Sequence, residues 1–596
     1  MRMRIVFTFI ILIWVILLVR VYYISIKSNK YYDEIAHQNA IKVERLAPLR
    51  GSIKDRHLRP LSVNRLGFRI AIKPHLSGRK GEEILNEEIA FLVKTLPKFN
   101  FEKLKERYLK KDSPYSQNYV EVVDFISYDE VISKFSNISL RENLEILPSS
   151  KRHYPYERLA SHIVGYVGRI NQKDLEENPM ARIINYTGRT GIEHYYNEYL
   201  QGVEGERKSK VTAFNQEIKE ISKTLPKSSD LILTIDLELQ EFLSKIFDKD
   251  AGAVVIMDVN NGEILAAGSY PEYNLNKFVS GISNEDWEKL MQNVDNPFTN
   301  KLVNGLYPPG SVVKMGVGFA FLNSLKINRQ TSFYCSGSFE LGGRKFRCWK
   351  KQGHAHTDLN KAIRESCDDY FYKGSLKIGI DAISPVLERL GFAQKTGVDL
   401  PNEFIGTVPG RVWKMQKYQQ PWYQGETLIT SIGQGYFLST PMQVALHTAI
   451  IATGKKVTPH FVKYIDDEEL EFSIDENILT PIEKNELSFM QKAMEEVANH
   501  PNGTAYWRLI NSKVKVAAKT GTAQVVGIAQ DVKERMKEED MEYLQRSHAW
   551  LTSYGPIKDP KYVVTVLIEH GGHGGQAAGP IVTKIYNKLH EMGYIE

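Results

Sequence analysis

An uncharged apolar run near the N-terminus constrains this chain more than any other feature. Residues Ile5–Val19 contain no charge, and after Arg20 the apolar character continues to Ile26. At about 1.5 Å per residue, a helix of this length crosses a bilayer core of about 30 Å. No small-x-small cleavage site follows the run, which favours an uncleaved anchor over a removed signal peptide. We therefore expect residues 1–4 to be cytoplasmic, residues 5–26 to span the membrane and the remaining chain to lie outside the cytoplasm.

Composition narrows the classes of protein that fit. The chain has 596 residues, a formal charge of +6, 42% hydrophobic residues and 25% charged residues. These values are typical of folded protein and argue against disorder, a polytopic membrane protein or a nucleic-acid-binding protein. The three cysteines are too few for a disulfide-rich scaffold.

The sequence changes character near residue 230. Residues 27–225 are charged and contain several short helical or alternating runs without one dominant period, which indicates a non-catalytic α+β region. After it, AGAVVIMDVNNGEILAAGSY predicts a β-hairpin, and Val514–Ala518 and Tyr562–Glu569 predict later strands. Helical segments lie between them. We therefore predict a second α+β domain over residues 230–596.

A serine and a lysine form the first candidate for chemistry. Pro and Gly precede Ser311 and a helical run follows it, so Lys314 is expected one turn along the same helix face. A partly desolvated lysine there can act as base for the serine, and the helix N-terminus can stabilise an anion. The same Ser-x-x-Lys pattern at Ser77–Lys80 and Ser512–Lys515 lacks the Pro-Pro-Gly lead-in.

Two more motifs follow in order. Ser366-Cys367-Asp368 comes after a helical segment, and Lys519-Thr520-Gly521-Thr522 ends an alternating strand. On an edge strand, Lys519 and the two threonine hydroxyls can bind a substrate carboxylate, and Gly521 permits a close backbone approach. A second Lys-Thr-Gly at Lys395–Gly397 has no strand pattern before it. The three motifs in this order point to a serine acyl-transfer enzyme.

These motifs, with SIGQGYFLSTPMQVA, KTGTAQV and SHAW, resemble those of class B penicillin-binding proteins. The segment WKKQGHAHTDLNKAIRESCDDYFY, the charged insert Asp531–Arg546 and the acid at Asp368, where most relatives carry Asn, are similar to the elongation type. The resemblance implies an α+β fold with one transmembrane helix, an elongated pedestal and a serine β-lactamase-like penicillin-binding transpeptidase domain, whose β-sheet is flanked by helices.

The resemblance also implies an activity. A D,D-transpeptidase of this family attacks the penultimate D-Ala carbonyl of a peptidoglycan stem peptide through its serine, here Ser311, and β-lactams acylate the same atom. By the family pattern Lys314 is the base, Ser366 relays protons, and the N–H groups of Ser311 and Thr522 form the oxyanion hole. Lys519, Thr520 and Thr522 hold the terminal carboxylate. The sequence leaves the role of Asp368 open.

Partners and alternatives follow from the same resemblance. No glycosyltransferase region is apparent, so a membrane glycan polymerase of the SEDS family is the implied partner, at the periplasmic side of the bacterial cytoplasmic membrane. A division-type protein is the nearest alternative. A β-lactam sensor or a polymerase activator with secondary transpeptidase activity are others. A secreted β-lactamase does not need the anchor or the pedestal.

All three cysteines and one histidine suggest a metal site. Cys335, Cys348, His354 and Cys367 follow the pattern C-x12-C-x5-H-x12-C, and three thiolates with one imidazole complete a tetrahedral zinc set. Some elongation-type relatives carry a structural zinc in this region. Two cysteines forming a disulfide, or His356 replacing His354, are the alternatives.

Overall fold

A computed structural model describes residues 2–27, 40–79, 81–184, 186–212, 217–526 and 536–596. Within it the chain forms two compact units, the first of residues 1–50, 170–185 and 201–228 and the second of residues 51–169, 186–200 and 229–596. The predicted domain boundaries at 27–225 and 230–596 stay a prediction. Most of the predicted insert at 531–546 is described, but residues 531–535 lie outside the described ranges.

The first unit contains the apolar N-terminal segment. An α-helix covers Arg2–Tyr22 and continues as a π-helical turn, Tyr23–Lys27. The stretch Met3–Lys27 is long and apolar enough to cross a membrane, and none of its most apolar 18 residues is buried inside the protein. An apolar helix with no protein around it fits a single-pass anchor. The unit also has an antiparallel sheet and two short helices: Ile41–Leu46, Gly205–Val211, Glu217–Thr224, Gln172–Glu177 and Pro179–Arg182.

A seven-stranded sheet organises the N-terminal part of the second unit. In spatial order its strands are Glu468–Glu469, Val462–Ile465, Leu231–Leu233, Ile53–Lys54, Pro60–Ile72 and Val120–Ser127, with Leu144–His153 also paired to Pro60–Ile72. Helices Glu82–Thr95 and Phe101–Lys111 bury Leu and Ile side chains in a core of their own with this sheet. Shorter elements are Tyr128–Val131, Phe135–Ser139, Ser161–Val164, Val167–Arg169 paired with Tyr186–Gly188, Gly191–Tyr195 and Asn197–Gln201. The mixture of strands and helices agrees with the predicted α+β class.

A five-stranded antiparallel sheet carries the third predicted motif, Lys519–Thr522. Its strands are, in order, Ile264–Tyr270, Gly252–Asp258, Tyr562–Ile568, His548–Gly555 and Ala517–Ala523. The predicted hairpin is confirmed, and Ala517–Ala523 is an edge strand as expected. The predicted strand Val514–Ala518 is wrong in its bounds, because Val514 and Val516 are buried without belonging to the strand.

Helices fill the chain between the opening hairpin and the closing strands, as predicted. They are Asn276–Val279, Asn284–Met291, Lys314–Asn323, Leu359–Arg364, Asp368–Ile378, Ile380–Arg389, Arg411–Tyr418, Gln424–Ser431, Pro441–Thr453, Pro481–Asn499 and Tyr506–Leu509, and a further helix, Leu237–Ile246, precedes the hairpin. Pro441–Thr453 and the final helix Gly574–Glu591 pack on the sheet. Small antiparallel pairs join Phe333–Cys335 to Ala355–Thr357, Ser338–Leu341 to Arg344–Arg347, and Lys456–Val457 to Ile474–Asp475. One continuous apolar core supports the sheet and most of these helices.

Candidate active site and thiol cluster

Ser311 lies at the start of a buried helix. A 3-10 turn covers Gly310–Val313, and the α-helix begins at Lys314. Ser311 is partly exposed, whereas Lys314 is fully buried. This arrangement leaves the serine open to a substrate and takes the lysine out of solvent.

Lys314 contacts the second motif directly. Its Nζ donates to Asp368 Oδ1 at 2.8 Å and to the backbone oxygen of Ser366 at 3.0 Å, and lies 3.3 Å from Ser366 Oγ. Its ammonium also lies 5.1 Å from the ring centroid of Phe371. The buried lysine therefore has a counter-charge and hydrogen-bond acceptors within its own pocket.

Lys519 reaches the same hydroxyl from the edge strand. Its Nζ lies 2.9 Å from Ser366 Oγ and 3.0 Å from the backbone oxygen of Thr520. Burial lowers the pKa of Lys519 well below its ordinary value, and the positive charge of Lys314 lowers it further, while Asp368 opposes both. The structure thus brings two buried lysines to one serine hydroxyl. We call Ser311, Lys314, Ser366, Asp368 and Lys519 the catalytic pocket, after the role that the sequence predicts for them.

Ser366 occupies a special backbone position. Its φ is +53°, in the left-handed region, between helices Leu359–Arg364 and Asp368–Ile378. A non-glycine residue in this region carries a conformational cost, which proteins accept most often at functional sites. The turn projects Ser366 Oγ between the two lysines.

The rest of the third motif faces the turn that carries Ser311. A Cβ at Gly521 would lie 3.0 Å from Pro309 O, so this position needs a glycine or a small shift of the backbone. The hydroxyl of Thr520 hydrogen bonds Thr504 Oγ1 at 2.7 Å, and Thr522 Oγ1 accepts a long bond from Gly574 N at 3.4 Å. The predicted site residues of the three motifs therefore come together at one edge of the sheet.

Asp368 is held between two donors. Besides Lys314 on Oδ1, the backbone N–H of Trp349 donates to Oδ2 at 2.9 Å. The Trp349 indole Nε1 donates to Glu365 O at 3.0 Å and ties the same loop to the turn before Ser366. A carboxylate offers an acceptor at each end, whereas an amide would place its NH₂ against one of the donors. This geometry gives a physical reason for an acid at position 368.

The four predicted metal ligands also come together. Cys335, Cys348, His354 and Cys367 are all buried, and their ligand atoms lie within 4.8 Å of one another. His354 Nδ1 lies 3.6 Å from Cys335 Sγ and 3.5 Å from Cys348 Sγ. We call these four residues the thiol cluster.

Both alternatives for the cysteine region fit less well. His356 is exposed and makes an edge-to-face contact with Tyr334, with ring centroids 5.3 Å apart, outside the cluster. All three thiols are free in the structure. Contacts with Cys348 and Cys367 lower the pKa of Cys335 to about 3, while contacts with the other two thiols raise that of Cys367. Three thiol sulfurs beside an imidazole nitrogen are the donor chemistry that zinc binds.

Sequence reasoning missed two residues beside the catalytic pocket. Trp349 acts through its backbone N–H, and the type of residue at a position gives no signal for a backbone contact. Gln434 donates from Nε2 to Thr522 O at 2.9 Å. Its segment, SIGQGYF, was recognised only as a resemblance, without a role.

Comparison with known proteins agrees with this geometry. A family model described as penicillin-binding protein transpeptidase domain matches residues 252–587, and one described as penicillin-binding protein dimerisation domain matches residues 45–233. Peptidoglycan D,D-transpeptidase MrdA of Haemophilus influenzae is 34% identical, covering 98% of this chain and 90% of its own length. MrdA of Escherichia coli K12 is 30% identical, covering 99% and 94%.

Solved structures are similar over nearly the same span. The penicillin-binding protein PBP2 of Helicobacter pylori, in complex with MreC, has a TM-score of 0.86 at 44% identity, covering 93% of this chain and 99% of that one. PBP2 of Pseudomonas aeruginosa in complex with WCK 5153 has a TM-score of 0.66 at 28% identity, covering 91% and 96%. A chain from a peptidoglycan synthase complex that coordinates polymerization and crosslinking has a TM-score of 0.71 at 26% identity, covering 98% and 97%.

Proposed function

This chain belongs to the penicillin-binding protein transpeptidases of the elongation type, which are peptidoglycan D,D-transpeptidases, and on that premise we propose that Ser311 is the acylated serine and that Lys314, Ser366 and Lys519 carry out its proton transfers. The observation that carries the proposal is the convergence of both lysines on Ser366 Oγ, at 3.3 and 2.9 Å. Family membership gives the reaction, and this geometry supports the assignment of roles.

The first step in the proposal makes Lys314 a base. As an ammonium paired with Asp368, Lys314 has no lone pair for the proton of Ser311. Lys519, whose pKa is lowered, is the ready acceptor. Lys314 gives a proton to Ser366 Oγ while Ser366 gives its own to Lys519, which leaves a neutral amine on Lys314 and an ammonium on Lys519. The net charge of the pocket is unchanged.

Substrate binding favours that proton shift. The terminal carboxylate of the stem peptide binds beside Lys519, Thr520 and Thr522, and a carboxylate there stabilises the ammonium form of Lys519. The same event therefore holds the substrate and frees the base on Lys314.

Acyl transfer then proceeds in two halves. Ser311 Oγ loses its proton to Lys314 and attacks the carbonyl of the penultimate D-Ala, and the oxyanion lies against the N–H groups of Ser311 and Thr522. The C–N bond breaks, and D-Ala leaves with the proton that Lys314 took from Ser311 and passes on through Ser366 Oγ. An amine of a neighbouring strand attacks the acyl-enzyme, which forms the cross-link and returns the proton to Ser311.

Asp368 has a positioning role in this scheme. Its two oxygens hold Lys314 on one side and the Trp349 N–H on the other. The loop that carries Cys348 is thereby joined to the catalytic base.

The thiol cluster is proposed to hold a structural zinc. The donor set fits this metal, because three sulfurs and one His354 nitrogen lie within 4.8 Å of one another and would fill the four positions of a tetrahedral site. Zinc bound there would cross-link the hairpin region around Cys335 and Cys348 to the turn at Cys367. It would supply rigidity and no step of the reaction.

Location and partners complete the proposal. The helix Arg2–Tyr22 is proposed to cross the cytoplasmic membrane with Arg4 on the cytoplasmic side, which places the transpeptidase region outside. The complexes described for similar proteins support a SEDS-type glycan polymerase and an MreC-like protein as partners. Side-wall localisation would agree with the elongation type, and septal localisation would not.

Fluorescent penicillin tests the central assignment. Purified external protein is labelled and digested, and the modified peptide is mapped by mass spectrometry. We expect label on Ser311, loss of label in Ser311→Ala, and unchanged label in the matched control Ser512→Ala, whose Ser-x-x-Lys lies on a turn outside the pocket. Label on another serine, or no label on folded wild-type protein, would refute the proposal.

A further inference from the structure

The edge strand Ala517–Ala523 has carbonyl oxygens that face away from its sheet. Thr520 O accepts from Lys519 Nζ at 3.0 Å, and Thr522 O accepts from Gln434 Nε2 at 2.9 Å. Along an antiparallel strand, the N–H and C=O of one residue point to the same side, and the side alternates from residue to residue. Thr520 and Thr522 therefore turn their peptide groups to the open edge, where the N–H of Thr522 is available to a substrate oxygen.

The group that donates to the carbonyl oxygen of Thr522 is identified by chemistry as well as by distance. A backbone carbonyl can only accept, so the Gln434 side chain must present its NH₂ group to it and not its oxygen. This contact sets the orientation of the amide without reference to any other neighbour.

The segment that carries Gln434 is itself tied to the serine turn. Gly310 N donates to Gly433 O at 2.9 Å, one residue before Ser311. Gly433 has φ +73°, and a Cβ there would lie 2.2 Å from Gly310 O, so only glycine allows this approach. Two bonds back to the preceding helix, Gly433 N to Thr430 O at 2.9 Å and Gln434 N to Ile429 O at 3.1 Å, hold the segment in place.

Two adjacent residues thus connect the two halves of the oxyanion hole. Gly433 holds the backbone just before Ser311, and Gln434 holds the backbone of Thr522. We propose that Gln434 is a positioning residue for acyl transfer, which fixes the Thr522 N–H at the distance from Ser311 that the developing oxyanion requires. The inference rests on the proposed acylation of Ser311.

The effect should appear in the chemical step and not in recognition. An oxyanion donor acts on charge that develops in the transition state, so its displacement slows acylation more than it weakens the first complex. The substrate carboxylate contacts other groups, Lys519 and the threonine hydroxyls, which Gln434 does not touch.

Three variants test this by rapid kinetics with fluorescent penicillin. Gln434→Met removes the donor at similar length, and we expect its acylation rate constant to fall at least tenfold with a dissociation constant for the first complex within threefold of wild type. Gln434→Lys retains a donor, and we expect it to recover most of that loss. The matched control is Gln491→Met, which removes an amide donating to Ala452 O at 2.9 Å elsewhere in the domain and should acylate as wild type does.

The outcomes separate this inference from the proposed function. Absence of Ser311 labelling in wild type overturns the proposed function. Wild-type labelling with an unchanged rate in Gln434→Met overturns only the role of Gln434, as does a loss confined to the first complex. If Gln434→Met does not fold, Gln434→Lys decides, because a tenfold loss of its rate in folded protein contradicts positioning by a donor.

Discussion

The catalytic pocket and the thiol cluster are neighbouring buried polar sites that balance charge in different ways. In the catalytic pocket, the ammonium of Lys314 meets the carboxylate of Asp368 at 2.8 Å, and burial favours the neutral form of Lys519. The thiol cluster contains three sulfurs and an imidazole, all of which are groups that can bind a metal ion. The catalytic pocket balances its charge with its own side chains, whereas the thiol cluster gains most from a bound cation.

The two sites also share backbone. Ser366, Cys367 and Asp368 are consecutive, so the second catalytic motif contains a cluster ligand. On the other side, Trp349 follows Cys348 and donates its N–H to Asp368. A change in the thiol cluster can therefore reach Lys314 through two short paths, and we expect a side-chain change at Lys314 to leave the four residues of the thiol cluster in place. The predictions below test this asymmetry.

Lys314→Met is expected to have the largest effect. It removes the proposed base and leaves Asp368 with an unpaired end in a buried pocket. Loss of a general base costs about 10²–10⁴ in rate, and we expect acylation by fluorescent penicillin to fall by about 10³ or more. The metal content of the variant should equal that of wild type, as measured by elemental analysis. Acylation within tenfold of wild type would contradict the assigned base.

Cys348→Ser tests the opposite direction, in which a change in the thiol cluster affects the catalytic pocket. We expect wild-type protein to carry about one zinc per chain and the variant to carry far less, because one of four ligands is lost. We expect a loss of about 2 kcal/mol in unfolding free energy. This loss lowers Tm by about 2–3 °C, because an unfolding entropy of about 2.1 cal/mol/K per residue amounts to about 0.8 kcal/mol per degree in a domain of roughly 370 residues. Acylation should slow as well, since the Trp349 N–H moves with this loop.

The control for the cysteine variant is His356→Ala. His356 is exposed and outside the cluster, so metal content and Tm should not change. Loss of zinc in this control, or full zinc in Cys348→Ser, would mean that the ligand set is wrong.

The sequence predicted the parts of this site that depend on residue type. The order of the three motifs, the hairpin Gly252–Asp258 with Ile264–Tyr270, and the edge position of Lys519 all follow from local patterns that the structure keeps. The four thiol-cluster residues were recognised because cysteine and histidine are few and their chemistry is specific.

What the sequence missed depends on the backbone and on burial. The alternation at Val514 and Val516 reports that both side chains are buried, but burial alone does not say that the backbone pairs with a neighbour. The N–H of Trp349 carries no side-chain signal, and the lowered pKa of Lys519 needs a three-dimensional environment.

Asp368→Asn sharpens the link between the two sites. The amide puts an NH₂ group against either Lys314 or the Trp349 N–H, and a buried donor without an acceptor costs about 1–3 kcal/mol. We expect acylation to slow by about 10- to 100-fold. Thermal melts and acylation rates of Asp368→Asn and Asp381→Asn provide the comparison, since Asp381 forms an exposed ion pair with Arg411. Equal rates in both variants would show that the two-donor geometry does not select an acid.

The smallest expected effect is a pH dependence of stability that belongs to Lys519. Burial and Lys314 lower its pKa in the folded protein, while the unfolded chain retains a value near 10.4. Between these two values the unfolded state binds more protons, so the free energy of unfolding rises with pH, by at most about 1.4 kcal/mol per pH unit. Relative to Lys519→Met, wild-type protein should therefore gain stability as the pH rises toward the unfolded-state value near 10.4, as followed by Tm at each pH. A difference in Tm that stays constant or shrinks over this range would mean that Lys519 remains an ammonium in the folded pocket, and the proton shift from Lys314 would then lack its acceptor.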